Sequence, residues 1–277
     1  MLTVHESAAK AVVNEGALHL ADGDLDGAER LFREAVELDP SNPTAQANLG
    51  YLLALSGRHV EAVAAADRAI ALDPTRSAAW SHRGMSLLAL DSVDAGLSSL
   101  SQALRLDPRN HFAWAAMGRA LLALGRTAEA VDAWSSAVAA RPDDVELYVA
   151  LATALAVRDR AGEAVRVLHR ATAVAPDSVQ AWTQLGVVAL VHQDYGTAGD
   201  ALLRALDLEP SNASARFHLA LLHSVVGAAD DAEAALRDLI EEHGDLENDA
   251  RALLARLPSR TAMGRSFHAD PDAQPAP

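Results

Sequence analysis

Residues 111–144 read HFAWAAMGRALLALGRTAEAVDAWSSAVAARPDD. Trp114, Met117 and Leu121 fall at helical i, i+3/i+4 spacing, and Ala130, Trp134 and Ala137 repeat that spacing after Leu124-Gly125-Arg126. Pro142 closes the second run, because proline lacks the N–H and clashes with the preceding turn. The stretch predicts two short amphipathic helices joined by a turn. The layout recurs along the chain. Pro40, Pro74, Pro108, Pro142, Pro176 and Pro210 stand 34 residues apart, three of them within Leu-Asp-Pro. A fixed period of this size means stacked units that bury their apolar faces against one another, rather than one globular core.

The period divides the chain into seven units, 9–42, 43–76, 77–110, 111–144, 145–178, 179–212 and 213–246. The eighth place of each unit is Gly16, Gly50, Gly84, Gly118, Ala152, Gly186 or Ala220. Glycine inside a helix costs about 1 kcal/mol relative to alanine, so its recurrence predicts a close approach of the first helix to the second helix of the same unit. Place 20 is also small throughout, from Ala28 and Ala62 to Ala232, and place 27 is alanine from Ala35 through Ala205.

This pattern resembles the tetratricopeptide repeat (TPR) family in its period, its small residues at places 8, 20 and 27 and its closing proline, over residues 9–246. The resemblance implies an all-α, right-handed superhelical solenoid of about seven 34-residue helix-turn-helix repeats. It also implies a non-catalytic adaptor or scaffold whose first helices line a concave groove that binds a protein segment. An assembly chaperone is one form of this.

In that family, places 2, 5, 9 and 12 of the first helix face the groove. The peptide-binding residues are then expected to include Val13, Ala17, Tyr51, Met85, Arg119, Thr153, Val187, Phe217 and Leu221. Apart from Arg119, places 5, 9 and 12 carry no charge, which suits a partner helix or an extended peptide. Tyr51, Met85 and Phe217 are expected to stand more exposed than the in-phase Trp80 and Trp114, which read as core. The family's carboxylate clamp begins with lysine at place 5 and asparagine at place 9. No unit has a base at place 5, and Asn48 at place 6 is a partial match, so an acidic chaperone tail is not the expected ligand.

Residues 1–8 read as an N-terminal extension. Leu246, Ala250, Leu253, Leu254 and Leu257 form one stripe over 246–257, which reads as a capping helix for the open end of the stack. Residues 258–277 contain prolines and no apolar period, and are expected to be a disordered tail. Arg83 at place 7 and Arg216 at place 4 break the packing pattern, leaving open whether each reaches solvent or pairs with an acid.

The net charge of −15 opposes binding to a phosphate backbone. There is no cysteine, no apolar run of membrane-spanning length, and no signal-peptide layout in residues 1–20, so a cytoplasmic location is expected. Asp22-Gly23-Asp24-Leu25-Asp26-Gly27 begins like a calcium loop, but its twelfth place is Arg33 rather than glutamate. His218 and His223 lack the i, i+4 spacing of two zinc ligands on one helical face. No phosphate-binding or nucleophile-elbow motif occurs. No catalytic residue, metal or cofactor is therefore expected. The alternatives are a small metal-dependent or other enzyme on a helical-repeat scaffold and, fitting least, an RNA-binding repeat protein. The first requires a polar constellation formed across units. The second uses a 35-residue period and basic faces. The partner's identity and the oligomeric state stay open.

Overall fold

In a computed structural model the described residues are 4–257, and they form fifteen helices and no strand. The first helices of the successive pairs are α1 (Val4–Ala21), α3 (Pro43–Leu55), α5 (Ser77–Ala89), α7 (His111–Ala123), α9 (Val145–Val157), α11 (Val179–Val191) and α13 (Ala213–Val226). Their partners are α2 (Leu25–Leu38), α4 (His59–Leu72), α6 (Val93–Leu106), α8 (Thr127–Ala140), α10 (Ala161–Val174), α12 (Tyr195–Leu208) and α14 (Ala229–Glu241). A last helix, α15, spans Glu247–Leu254. The expected tail, 258–277, lies outside the described residues, and the expected N-terminal extension is continuous with α1 from Val4 onward.

The repeat explains where each helix starts and stops. Place 34 supplies the N-cap of the following first helix: Asn42, Asn110, Asp144, Ser178 and Asn212 each accept a hydrogen bond from a backbone N–H of that helix's first turn. Ahead of each proline the chain is forced into extended backbone, as at Asp73 (φ −144°, ψ 92°), and the second helix ends there. In the Leu-Asp-Pro units the aspartate then bridges the proline: the Asp73 carboxylate accepts from the Thr75 N–H and hydroxyl at 3.1 and 2.7 Å. Hydrogen bonds from Thr75 hold its pKa below the usual carboxylate range. Between the two helices of a pair, place 15 always sits at positive φ. Glycine occupies it four times and Asp91, Asp159 and Gln193 the other three.

The aromatic residues at place 4 do more than fill core. Trp80, Trp114 and Trp182 are half-buried, and each indole N–H donates to the carbonyl of the closing proline six residues earlier, at 2.8 to 2.9 Å. Tyr148 makes the equivalent bond to the Pro142 carbonyl at 3.0 Å. One ring therefore packs between helices while its polar tip ties down the turn entering them.

The core is small-residue packing. Place 8 touches place 24 of the same pair: a Cβ on Gly118 would lie 2.7 Å from the Trp134 ring, and one on Gly186 2.5 Å from Leu202. Alanines at place 27 join alanines at place 3 of the next pair, as Ala35 with Ala45, Ala69 with Ala79, Ala103 with Ala113 and Ala205 with Ala215, all fully buried. The chain divides into two compact units, one ending at Arg158 and one beginning at Asp159. The division falls within the fifth repeat, so α9 belongs to the first unit and α10 to the second. In the second, α15 lies against α14, and Leu253, Leu254 and Leu257 pack around Ala220, Leu236, Leu239 and Ala250.

Arg83 and Arg216 are both paired. Arg83 bonds the Asp67 carboxylate at 2.6 Å and the Ser99 hydroxyl at 2.7 Å, and Arg216 bonds both Glu242 oxygens at 2.6 and 2.8 Å. Each closes the first helix of a pair onto charge supplied by a different helix or the turn after it.

Candidate functional site

In the first unit α3, α5 and α7 lie in sequence, each touching the next. Their C-terminal halves enclose a cleft of about 520 Å³. Place 9 contributes Tyr51, Met85 and Arg119, and place 12 contributes Ala54 and Leu88. Leu55, Ala116, Ala120, Ala123 and Leu124 complete the helical walls, with His59, Asp91 and Val93 at the turns. The size suits a large side chain or a short run of them.

Tyr51 is positioned by its neighbour. Its ring stacks on His82 of α5 with centroids 4.8 Å apart and planes 27° from parallel. Burial pushes the His82 pKa down to about 4, opposed in part by a hydrogen bond with the Ala47 backbone. The imidazole is therefore neutral at pH 7, a flat apolar support for the tyrosine. The unfolded chain takes up this proton near pH 6.5 and the folded chain only near pH 4, so stability is complete above the first value and declines as pH falls between them. His82→Phe is expected to lose less stability than wild type between pH 7 and 4, by up to roughly 3 kcal/mol in chemical denaturation. Parallel pH profiles for the two proteins would exclude this role for His82.

Arg119 differs from the arginines around it. Arg58 pairs with Glu29 and Glu61, Arg83 with Asp67, and Arg126 with Glu129. Among the described residues Arg119 makes no ion pair or hydrogen bond, although Asp91 lines the same cleft. Its side chain is exposed to solvent, yet the enclosing walls strip enough hydration to lower its pKa. It stays charged, as arginine does in proteins.

The second unit has its own cleft, of about 350 Å³, lined by Val187, Leu190, Val191, Gln193, Tyr195, His218, Leu221 and Val225. These are places 6, 9, 12, 13, 15 and 17, which also line the cleft of the first unit. Here place 9 is Val187 and Leu221, and no arginine is present.

The expected groove residues therefore fall into groups. Tyr51, Met85 and Arg119 come together in one cleft, and Val187 and Leu221 in the other. Ala17 and Thr153 are exposed but line neither. Val13 departs from expectation: it is buried with Ala35 and Ala45. Place 5 as a whole explains why, because Ala47, Ser81, Ala115 and Thr183 are buried too. Val13 clusters with Ala45 of α3, and Ala47 with Ala79 of α5, so at these positions place 5 packs toward the next first helix. Phe217, also at place 5, is half-buried, packs on the Ala220 and Leu236 cluster, and meets His218 edge-on at 5.3 Å. The expected contrast in exposure does not appear, since Tyr51, Met85, Phe217, Trp80 and Trp114 are all half-buried.

Residues at the ends of the first helices escaped the sequence reading. Leu55, Leu90 and Leu124 in the first unit, and Val191 and Val225 in the second, are 39 to 70% exposed. All sit at place 13 or 14, immediately before the left-handed turn. An apolar residue recurring there, outside the core stripe, was the available signal.

The calcium-like segment spans the turn from α1 into α2. Asp24 caps α2 through the Gly27 N–H at 2.9 Å and meets His19 Nδ1 at 2.7 Å. Among the described residues no group of three or more histidine and acidic side chains could hold a metal ion, and no helix is long and apolar enough to cross a membrane.

Residues 2–190 match the family model of the cilia and flagella-associated protein 70 C-terminal domain, and residues 192–247 match a tetratricopeptide repeat model. No curated protein matches the chain. Among solved structures, one described as the functional characterization of Pseudomonas aeruginosa pilF is 18% identical, with 77% of this chain and 97% of that one covered at a TM-score of 0.64. YrrB, described as a TPR protein with an unusual peptide-binding site, is 22% identical over 66% of this chain and 95% of its own, at a TM-score of 0.53. A chain of the APC/C hetero-tetramer Cut9-Hcn1 is 20% identical over 88% of this chain and 48% of its own, at 0.63. At these identities the likeness is one of fold.

Proposed function

The chain belongs to the tetratricopeptide repeat family, and from that premise we propose that it is a non-catalytic adaptor holding a segment of a partner protein against α3, α5 and α7. The family is generally one of protein–protein interaction scaffolds. The observation that carries the finer reading is the cleft where Tyr51, Met85 and Arg119 converge: a recess lined mostly by apolar side chains, with one cation that is unpaired among the described residues. Preformed helices present that surface without further ordering, so little of the contact energy is spent on fixing it. A recess that accepts a large apolar side chain is the usual setting for a binding hot spot. An assembly chaperone for a neighbouring protein complex fits the same reading. We place its work in the cytoplasm and away from nucleic acid, in keeping with the charge of −15.

Tyr51→Ala and Met85→Ala are each expected to weaken a partner recovered by affinity capture by tenfold or more, about 1–2 kcal/mol. Each change should also cost about 1 kcal/mol of stability, because both side chains are half-buried, so binding is compared well below the unfolding midpoint. Arg166→Ala, on the 72% exposed side chain of an α10 residue, serves as the control and should leave binding intact. A partner insensitive to both cleft changes but sensitive to such a surface change would move the binding face elsewhere.

A further inference from the structure

The cleft's anchors stand one on each of three successive first helices, and that order constrains the shape of the segment it takes. Tyr51, Met85 and Arg119 occupy the same place on three successive first helices, each touching the next. Packed helices run about 8–10 Å axis to axis, so one anchor follows another at about that step. A helix lying across them rises ~1.5 Å per residue and returns to the same face after seven residues, about 10.5 Å on. An extended segment returns to the same face every second residue, at steps of about 6.6 or 13 Å, and matches poorly. Charge supplies the second constraint. Two anchors are uncharged, and the third is a guanidinium that pairs with no acidic side chain among the described residues.

Resting on the reading that this face holds a protein segment, we infer that the partner segment is an amphipathic helix carrying two apolar residues one heptad apart and a carboxylate one heptad further. The apolar pair sits over Tyr51 and Met85, between the walls made by Leu55, Leu88 and Leu124. The acid meets Arg119 in a site with reduced hydration, where a charge-assisted hydrogen bond is stronger than at an open surface. The cleft of the second unit has valine and leucine at place 9 and makes no such demand for an acid.

The test uses a fluorescein-labelled, alanine-rich peptide with leucines one heptad apart and a glutamate one heptad beyond, titrated by anisotropy into the full chain. Saturable binding is expected. It should weaken at least tenfold when the glutamate becomes glutamine, when the second leucine is moved by two positions, or when a central proline breaks the helix. Arg119→Glu should reject the glutamate peptide and accept its lysine counterpart. A glutamine, shifted or proline-containing peptide that binds as well as the parent overturns the inference. Panning a phage-displayed random peptide library on the same protein separates this failure from that of the underlying reading. Enriched sequences that depend on Met85 (lost on Met85→Asp) but lack the heptad pattern and the acid overturn the helix proposal alone. If nothing enriches and none of the designed peptides binds, the peptide-binding reading of this face falls as well.

Discussion

Gly118→Leu is expected to destabilise the first unit by about 3 kcal/mol, measured by thermal or urea unfolding. A Cβ at this position would stand 2.7 Å from Cε2 and Nε1 of Trp134 and 2.9 Å from Cδ1. Trp134 is only 4% exposed, so its ring cannot turn out to solvent without disturbing the packing around it. Leucine recovers nearly 1 kcal/mol of helix propensity over glycine, which the overlap outweighs. The double-mutant cycle gives the sharper reading. Trp134→Ala alone should cost about 3–5 kcal/mol by leaving a cavity. The added leucine would fill part of that cavity, so the double variant should be more stable than the sum of the two single effects implies. Additive effects would mean that Gly118 and Trp134 are not in contact.

The second large effect concerns the end of the chain. We read α15 as a cap on the last helix pair. A chain ending at Asp245 should unfold at lower temperature than one ending at Leu257, and should aggregate more readily. Leu253, Leu254 and Leu257 are half-buried against Ala220, Leu236 and Leu239. Burying a whole leucine side chain contributes about 1.5–3 kcal/mol, so losing three half-buried ones removes roughly 3 kcal/mol. Repeat stacks derive much of their stability from nearest-neighbour contacts, and this loss falls on the unit that starts at Asp159. Equal melting of the two truncations would show that α15 contributes no cap.

Much of this fold was legible because its contacts repeat in phase. Six prolines end six helices, and the glycines of place 8 mark where a first helix meets the second. The site was legible only in part. Place 9 of the second, third and fourth pairs lines one cleft, so Tyr51, Met85 and Arg119, which the family resemblance pointed to, stand together there. Val13 could not be placed this way, because its burial depends on a contact between α1 and α3, helices separated in sequence by all of α2. The acids facing Arg83 and Arg216 lie 16 and 26 residues away, beyond any local pattern. His82 was equally hidden: a half-polar residue at place 6 gives no sign that it will be neutral and stacked under a tyrosine on another helix. The break after Arg158 lies inside a repeat of normal length, and nothing in the 34-residue period marks it.

The hydrogen bonds between place-4 indoles and proline carbonyls give the chain a set of built-in optical reporters. Its four tryptophans occupy two kinds of surroundings: Trp80, Trp114 and Trp182 are bonded at turns, while Trp134 is enclosed and makes no hydrogen bond to another described residue. Trp182 is the one tryptophan beyond Arg158. Phenylalanine at the other three would leave an emission signal belonging to the second unit alone, and Trp182→Phe would leave one belonging to the first. The melting of each unit can then be followed separately in the intact chain, by light alone and without an added label.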